Sequence, residues 1–222
     1  MPTITHENYL KAMFALEDRG QAISLTALSK QLEVSIPTIN AMVKKMENRG
    51  WVSYTKYQPL ELTESGRKEA AAIVRKHRLS EMYLEKMMGF GWEEVHDIAE
   101  ELEHISDSKL FDRMDELLGF PTHDPHGSPI PDKDGQLQKN TFKKLGELKP
   151  NDQGVLRGLR NSSTEFLMYL NSKDIQLGLL IKILHIEDFD QTMKIEFTNE
   201  EGSIKSIHIS REVSSRLLLE PI

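Results

Sequence analysis

The sequence has no cysteine among its 222 residues. That excludes disulfides, thiolate zinc sites and cysteine nucleophiles, and it fits a reducing compartment. No apolar run approaches the roughly 20 residues needed to span a bilayer, so no membrane partner is expected. The Met1-Pro2-Thr3 start lacks the basic and apolar regions of a secretory signal, which points to the cytoplasm. Internal repeats, heptad runs, Gly-rich phosphate loops and an HExxH motif are also missing.

Charge is present but unevenly spread. The net value of −7 argues against indiscriminate polyanion binding by the whole molecule. Residues 1–60 nevertheless carry seven basic against five acidic side chains, whereas residues 92–118 carry ten acids against Lys109 and Arg113. A mildly basic start followed by an acidic middle suggests two jobs, although solvated helix faces can produce the same pattern.

Hydrophobic periodicity organises the chain into three parts. Residues 5–18 read as a helix with Tyr9, Leu10, Met13, Phe14 and Leu16 on its apolar stripe, ended by Gly20. A short second helix opens at Ser24 or Leu25. The third starts after the Val34-Ser35-Ile36-Pro37 turn, where proline suits a first helical turn, and it stops at Gly50. Trp51–Lys56 and Leu60–Thr63 read as a β-hairpin, and three helices followed by a hairpin predict a winged helix-turn-helix. A long helix from Thr63 or Ser65 to about Met88, one from Trp92 to about Ile105 and one over Ser108–Leu118 predict a helical dimerisation layer. The proline-rich stretch Gly119–Gly135 reads as a linker. Gly154–Leu159, Leu179–Ile186, Met193–Phe197 and Ser203–Ile209 read as strands of a small β-barrel. The expected fold is therefore mainly α with β. Its predicted domains are a winged helix over 1–64, a helical dimerisation domain over 65–135, and a small β-barrel over 145–222.

One constellation carries chemistry. On a helical wheel centred on His96, Glu100, Glu103 and His104 fall within an arc of about 100°. Val95, Ile98, Ala99, Leu102 and Ile105 occupy the other side. His77 and Glu81 stand four apart on the preceding helix. A short glycine break between the two helices can bring both faces together, giving three imidazoles and three carboxylates. Such a set, free of sulfur, suits manganese, iron(II), cobalt or zinc, and oxygen-rich ligation leans to manganese. One His/Glu pair four residues apart is usually a solvated face; six such residues on adjacent helices are harder to assign to solvent. A metallohydrolase with Glu as base is the alternative chemistry, but no nucleophile or oxyanion site accompanies the cluster.

At these residues the chain resembles the diphtheria-toxin-repressor family of metal-dependent regulators, including its manganese-sensing branch. The resemblance rests on Arg75-Lys76-His77-Arg78-Leu79 with Glu81, on Val95-His96-Asp97 with Glu100, Glu103 and His104, and on His126-Gly127-Ser128-Pro129-Ile130-Pro131. It implies an ancillary metal site of His77, Glu81 and His96, and a primary site of Glu100, Glu103 and His104. Glu100 stands where iron-responsive members have cysteine, so Mn²⁺ is preferred and Fe²⁺ comes next. Asn8 occupies the position of an N-terminal ligand, Lys11 replaces a manganese-branch glutamate, and Glu165 aligns with a donor from the SH3-like domain.

The resemblance also implies a homodimer that binds double-stranded, palindromic operator DNA. Ser35, Pro37, Thr38 and Asn40 would face the major groove, with Lys44, Lys45, Arg49 and the wing residue Lys56 near phosphates. Ala41 departs from members with glutamine there, so base preferences do not transfer. The expected function is a metal-dependent transcriptional repressor; a metallohydrolase and a plain metal-binding interaction module are the alternatives.

Overall fold

A computed structural model describes residues 2–55, 58–138, 141–199 and 201–222. Two compact units emerge: 1–80, 98–122 and 130–138 form the first, and 81–97, 123–129 and 139–222 form the second.

The first unit opens with α1 (Ile4–Asp18), α2 (Leu25–Leu32) and α3 (Ile36–Asn48). Each start is fixed by a hydroxyl. Thr3 accepts from the His6 backbone N–H while the His6 ring returns the bond, Ser24 caps α2, and Ser35 caps α3 ahead of Pro37. Tyr9, Leu10, Met13 and Phe14 of α1 pack with Leu28, Ile39, Val43 and Met46 into one buried cluster. At the α2–α3 turn, Glu33 is left-handed with φ 55°.

The wing is shorter than its sequence suggests: β1 (Val52–Ser53) pairs antiparallel with β2 (Glu61–Leu62). Leu60 extends it through an isolated bridge to Ile23. Lys56 lies outside the described residues. Behind the wing, α4 (Glu64–Met88) starts against the backbone of Trp51; a Cβ on Gly66 would come 1.9 Å from the Trp51 carbonyl oxygen. Only glycine fits there.

Helix α4 continues into the second unit, and α5 (Val95–Leu102) likewise belongs to both; α6 (Ser108–Leu117) lies in the first. The expected helix over 92–105 is trimmed at both ends. At its start, Gly91 N–H donates to the Glu94 carboxylate across a turn over 92–94. At its end, Glu103 and His104 sit in a turn, yet Glu103 N–H still donates to Ala99 at 3.0 Å. Glu103 therefore keeps the helical register that the wheel assumed.

The second unit is built on an antiparallel six-stranded sheet. Its strands are β3 (Lys143–Lys144), β4 (Gln153–Leu159), β5 (Leu180–Ile186), β6 (Met193–Thr198), β7 (Ile204–Ile209) and β8 (Leu217–Pro221), in the order β3-β8-β4-β5-β6-β7. Alternate residues such as Ile181, Ile183, Ile195 and Phe197 fill its core. This is the SH3-like part of the fold. Two helices unanticipated in the sequence join it: α7 (Thr164–Ser172) and the short α8 (Arg211–Ser214). Phe166, Leu167 and Leu170 of α7 are buried in the same core, and Ser163 caps the helix.

Candidate functional site

In the first unit, α1 carries Glu7, Asn8 and Lys11, each half-buried among its apolar residues. His77 comes from the middle of α4, Glu100 from the last turn of α5, and Glu103 and His104 from the turn beyond it. Donor atoms of His77, Glu100 and Glu103 lie within 4.8 Å of one another.

Glu103 is the hub. Its side chain is 0% exposed, its Oε2 lies 2.7 Å from His77 Nδ1, and Lys11 Nζ reaches its two oxygens at 3.0 and 2.8 Å. Burial pushes the Glu103 carboxyl up. Against that, the His77 hydrogen bond and the Lys11 ammonium together win and hold it below the ordinary glutamate value. Lys11 also pairs with Glu100. His104 Nδ1 lies 2.6 Å from Glu7 Oε2, which joins α1 to the end of α5 a second time.

Asn8 adds a telling atom. Its Oδ1 is buried and has no hydrogen-bond partner among the described residues. An amide oxygen left dry and unpartnered is destabilising by about 1–3 kcal/mol unless something electropositive meets it. The oxygen and nitrogen donors of His77, Glu100 and Glu103, with no sulfur among them, form a hard-to-borderline set that fits a divalent cation.

The second unit holds a separate cluster. Glu81 is buried, with His96 Nδ1 3.1 Å from its Oε1 and His126 Nδ1 3.8 Å from its Oε2. His126 Nε2 lies 2.8 Å from the Trp92 carbonyl oxygen. A carbonyl can only accept, so Nε2 carries the proton, and in the neutral ring Nδ1 presents a lone pair. Donor atoms of Glu81, Asp124 and His126 lie within 4.8 Å of one another. Asp124 itself braces the 124–128 turn by accepting from the backbone of His126 and Ser128.

The residues expected to face DNA lie on α3. Ser35, Pro37, Thr38, Lys44, Lys45 and Arg49 are exposed and Asn40 is half-buried, so the polar face opposite Ile39, Val43 and Met46 is open. The Arg49 guanidinium lies 5.0 Å from the centre of the Trp51 ring. Its cation is thereby steadied at the C-terminal end of α3.

The structure thus gathers Asn8, His77, Glu100, Glu103 and His104 in one unit, and Glu81 and His96 in the other. Glu165, aligned in sequence with a donor from the SH3-like domain, lies in the first turn of α7 and is exposed. Its carboxylate is held below the ordinary value by its own backbone N–H and by the Ser163 hydroxyl. Sequence reasoning passed over Glu7, Asp124 and His126. Glu7 adjoins Asn8 on α1, but nothing within that helix signals its distant partner; the other two lie on a segment read as a linker.

Residues 1–60 match the family described as iron dependent repressor, N-terminal DNA binding domain. Residues 63–132 match the iron dependent repressor metal binding and dimerisation domain. The diphtheria toxin repressor of Corynebacterium diphtheriae is 35% identical over 217 residues, covering 94% of this chain and 91% of that protein. The iron-dependent repressor IdeR of Mycobacterium tuberculosis is 39% identical over 127 residues, but the match spans 57% of this chain and only 55% of IdeR. A manganese-dependent transcriptional repressor solved with manganese superposes with a TM-score of 0.87 at 30% identity, covering 98% of this chain and all of the other. ScaR with bound Cd²⁺ gives 0.80 at 29%, with both chains fully covered.

Proposed function

The chain belongs to the iron-dependent repressor family, and on that premise we propose that it is a metal-dependent DNA-binding repressor of metal-ion homeostasis genes. Mn²⁺ is the preferred co-repressor and Fe²⁺ the next. The observation that carries this reading is the approach of the His77, Glu100 and Glu103 donor atoms to within 4.8 Å of one another, with an unpartnered buried oxygen on Asn8 in the same unit.

Asn8, Glu100, Glu103 and His104 form the primary ligand set in this proposal. His77, Glu81 and His96 follow the family pattern as the ancillary set, and Glu165 is kept as a candidate donor. When bound, a divalent ion supplies positive charge that offsets the mutual repulsion of the carboxylates. Asn8 and Glu7 belong to α1, which packs against α2 and α3, whereas Glu100, Glu103 and His104 belong to the α5 end. Ligation across that line ties the DNA-binding helices to the helical layer and fixes the angle of α3.

Fixing that angle raises the population of the arrangement in which two recognition helices meet successive major grooves of a palindromic site. Ser35, Pro37, Thr38 and Asn40 face the bases, while Lys44, Lys45 and Arg49 reach phosphates. Leu110, Leu117 and Phe120, apolar and exposed around α6, suit a homodimer interface. No described helix is long and apolar enough to cross a membrane, and a cytoplasmic location and the three-domain division 1–64, 65–135 and 145–222 belong to the same reading. The test is a gel shift on duplexes selected by the Mn²⁺-loaded protein from a random-sequence pool. Retardation that needs metal, and is lost in Glu103→Gln/His104→Ala while the dimer persists, is expected. Retardation independent of metal refutes the proposal.

A further inference from the structure

Lys11 places an ammonium group inside a set of side chains suited to a cation. Its ammonium pairs with Glu100 and lies within hydrogen-bond reach of both oxygens of Glu103. Glu103 Oε2 is further engaged by His77 at 2.7 Å. Both carboxylates proposed as primary ligands therefore share one counter-charge supplied from within the chain. An ammonium donates only, so it cannot serve as a metal ligand alongside them.

We propose that Lys11 is a built-in counter-cation of this centre. It holds Glu100 and Glu103 together in the metal-free protein, and metal loading proceeds by displacing it. The inference rests on the ligand assignment above and adds a device to it. In the metal-free state the ammonium offsets the repulsion between two carboxylates, one of them wholly buried, so α1 stays docked on the end of α5. Displacement is feasible because the Lys11 side chain is 21% exposed and ends a flexible four-carbon stem that can swing to water.

Two consequences follow. Affinity is set below that of the same ligands without an internal rival, so the protein responds at a higher free-metal concentration. Divalent ions, carrying more charge than the ammonium they replace, are favoured over monovalent ones. Lys11 thereby acts as a threshold residue.

The experiment uses the full chain with MnCl₂ alone as probe, and compares Lys11→Met and Lys11→Arg with wild type. Mn²⁺ affinity is read by calorimetry and thermal stability is read in EDTA. Lys11→Met is expected to melt lower in EDTA and to bind Mn²⁺ about tenfold more tightly, while Lys11→Arg stays within about threefold of wild type. The opposed signs are the signature, because loss of a merely structural contact lowers stability and affinity together. Unchanged or weaker Mn²⁺ binding by Lys11→Met, with wild type binding normally, overturns this inference alone. Absence of saturable Mn²⁺ binding in wild type and both variants overturns it together with the proposed function.

Discussion

Glu103→Gln isolates the charge at the hub of the centre without changing its shape. Glu103 is fully buried between the Lys11 ammonium and the His77 ring. Removing one partner of a buried ion pair typically destabilises by about 3–5 kcal/mol. The glutamine still offers an acceptor oxygen, and Lys11 can move towards solvent, so we expect about 2 kcal/mol here. For a chain of this size that is a fall in Tm of about 4–8 °C. Glu100→Gln is the internal comparison: Glu100 is 38% exposed, and its pair should be worth less than about 1 kcal/mol. The pH dependence should differ as well. Because folding lowers the Glu103 pKa, its contribution is complete above the ordinary glutamate value and disappears as pH falls through the lowered one. Calorimetric melting in EDTA across pH 3–7 measures both effects. Equal losses in the two variants, or a Glu103→Gln protein as acid-sensitive as wild type, would refute the reasoning.

Gly66→Ala drives a methyl into the Trp51 carbonyl, so a loss of about 3 kcal/mol or more is expected in a denaturant titration, with the wing affected first. His6 has a lowered pKa, first because it is buried and then because Arg49 and Lys45 are near. The neutral ring is thus the folded form, and stability should fall as pH drops below the ordinary histidine value and level off beneath the lowered one. His6→Gln should flatten that step in melts between pH 5 and 7.5. Lys44→Ala should weaken binding to all duplexes alike and reduce the slope of log K against log salt by about one, as measured by fluorescence anisotropy.

Much of the first unit was legible because its signals are local. Hydroxyl caps at Ser24 and Ser35, Pro37 in a first turn and periodic apolar residues mark helices without any knowledge of the fold. The His96–His104 face was also readable, since Glu103 keeps helical register past the end of α5. What escaped depends on distant partners. Lys11 and Glu7 meet Glu103 and His104 across more than ninety residues, and no pattern within α1 announces that. His126 sits where proline and glycine signal a linker, and its role appears only once Glu81 and Trp92 are beside it. Helix α7 was missed for another reason: Phe166, Leu167 and Leu170 have helical spacing, but the surrounding strands invited a period of two.

The central claim is that the side chains gathered around Glu103 couple a divalent ion to DNA binding. It is tested most directly by measuring the affinity of the full chain for a selected duplex with Mn²⁺ and with EDTA, in wild type and in Glu103→Gln/His104→Ala. The account predicts tighter binding of wild type in Mn²⁺ by about a hundredfold, a coupling of roughly 2.7 kcal/mol, and no metal effect in the variant. Equal affinity of wild type in Mn²⁺ and in EDTA would contradict it.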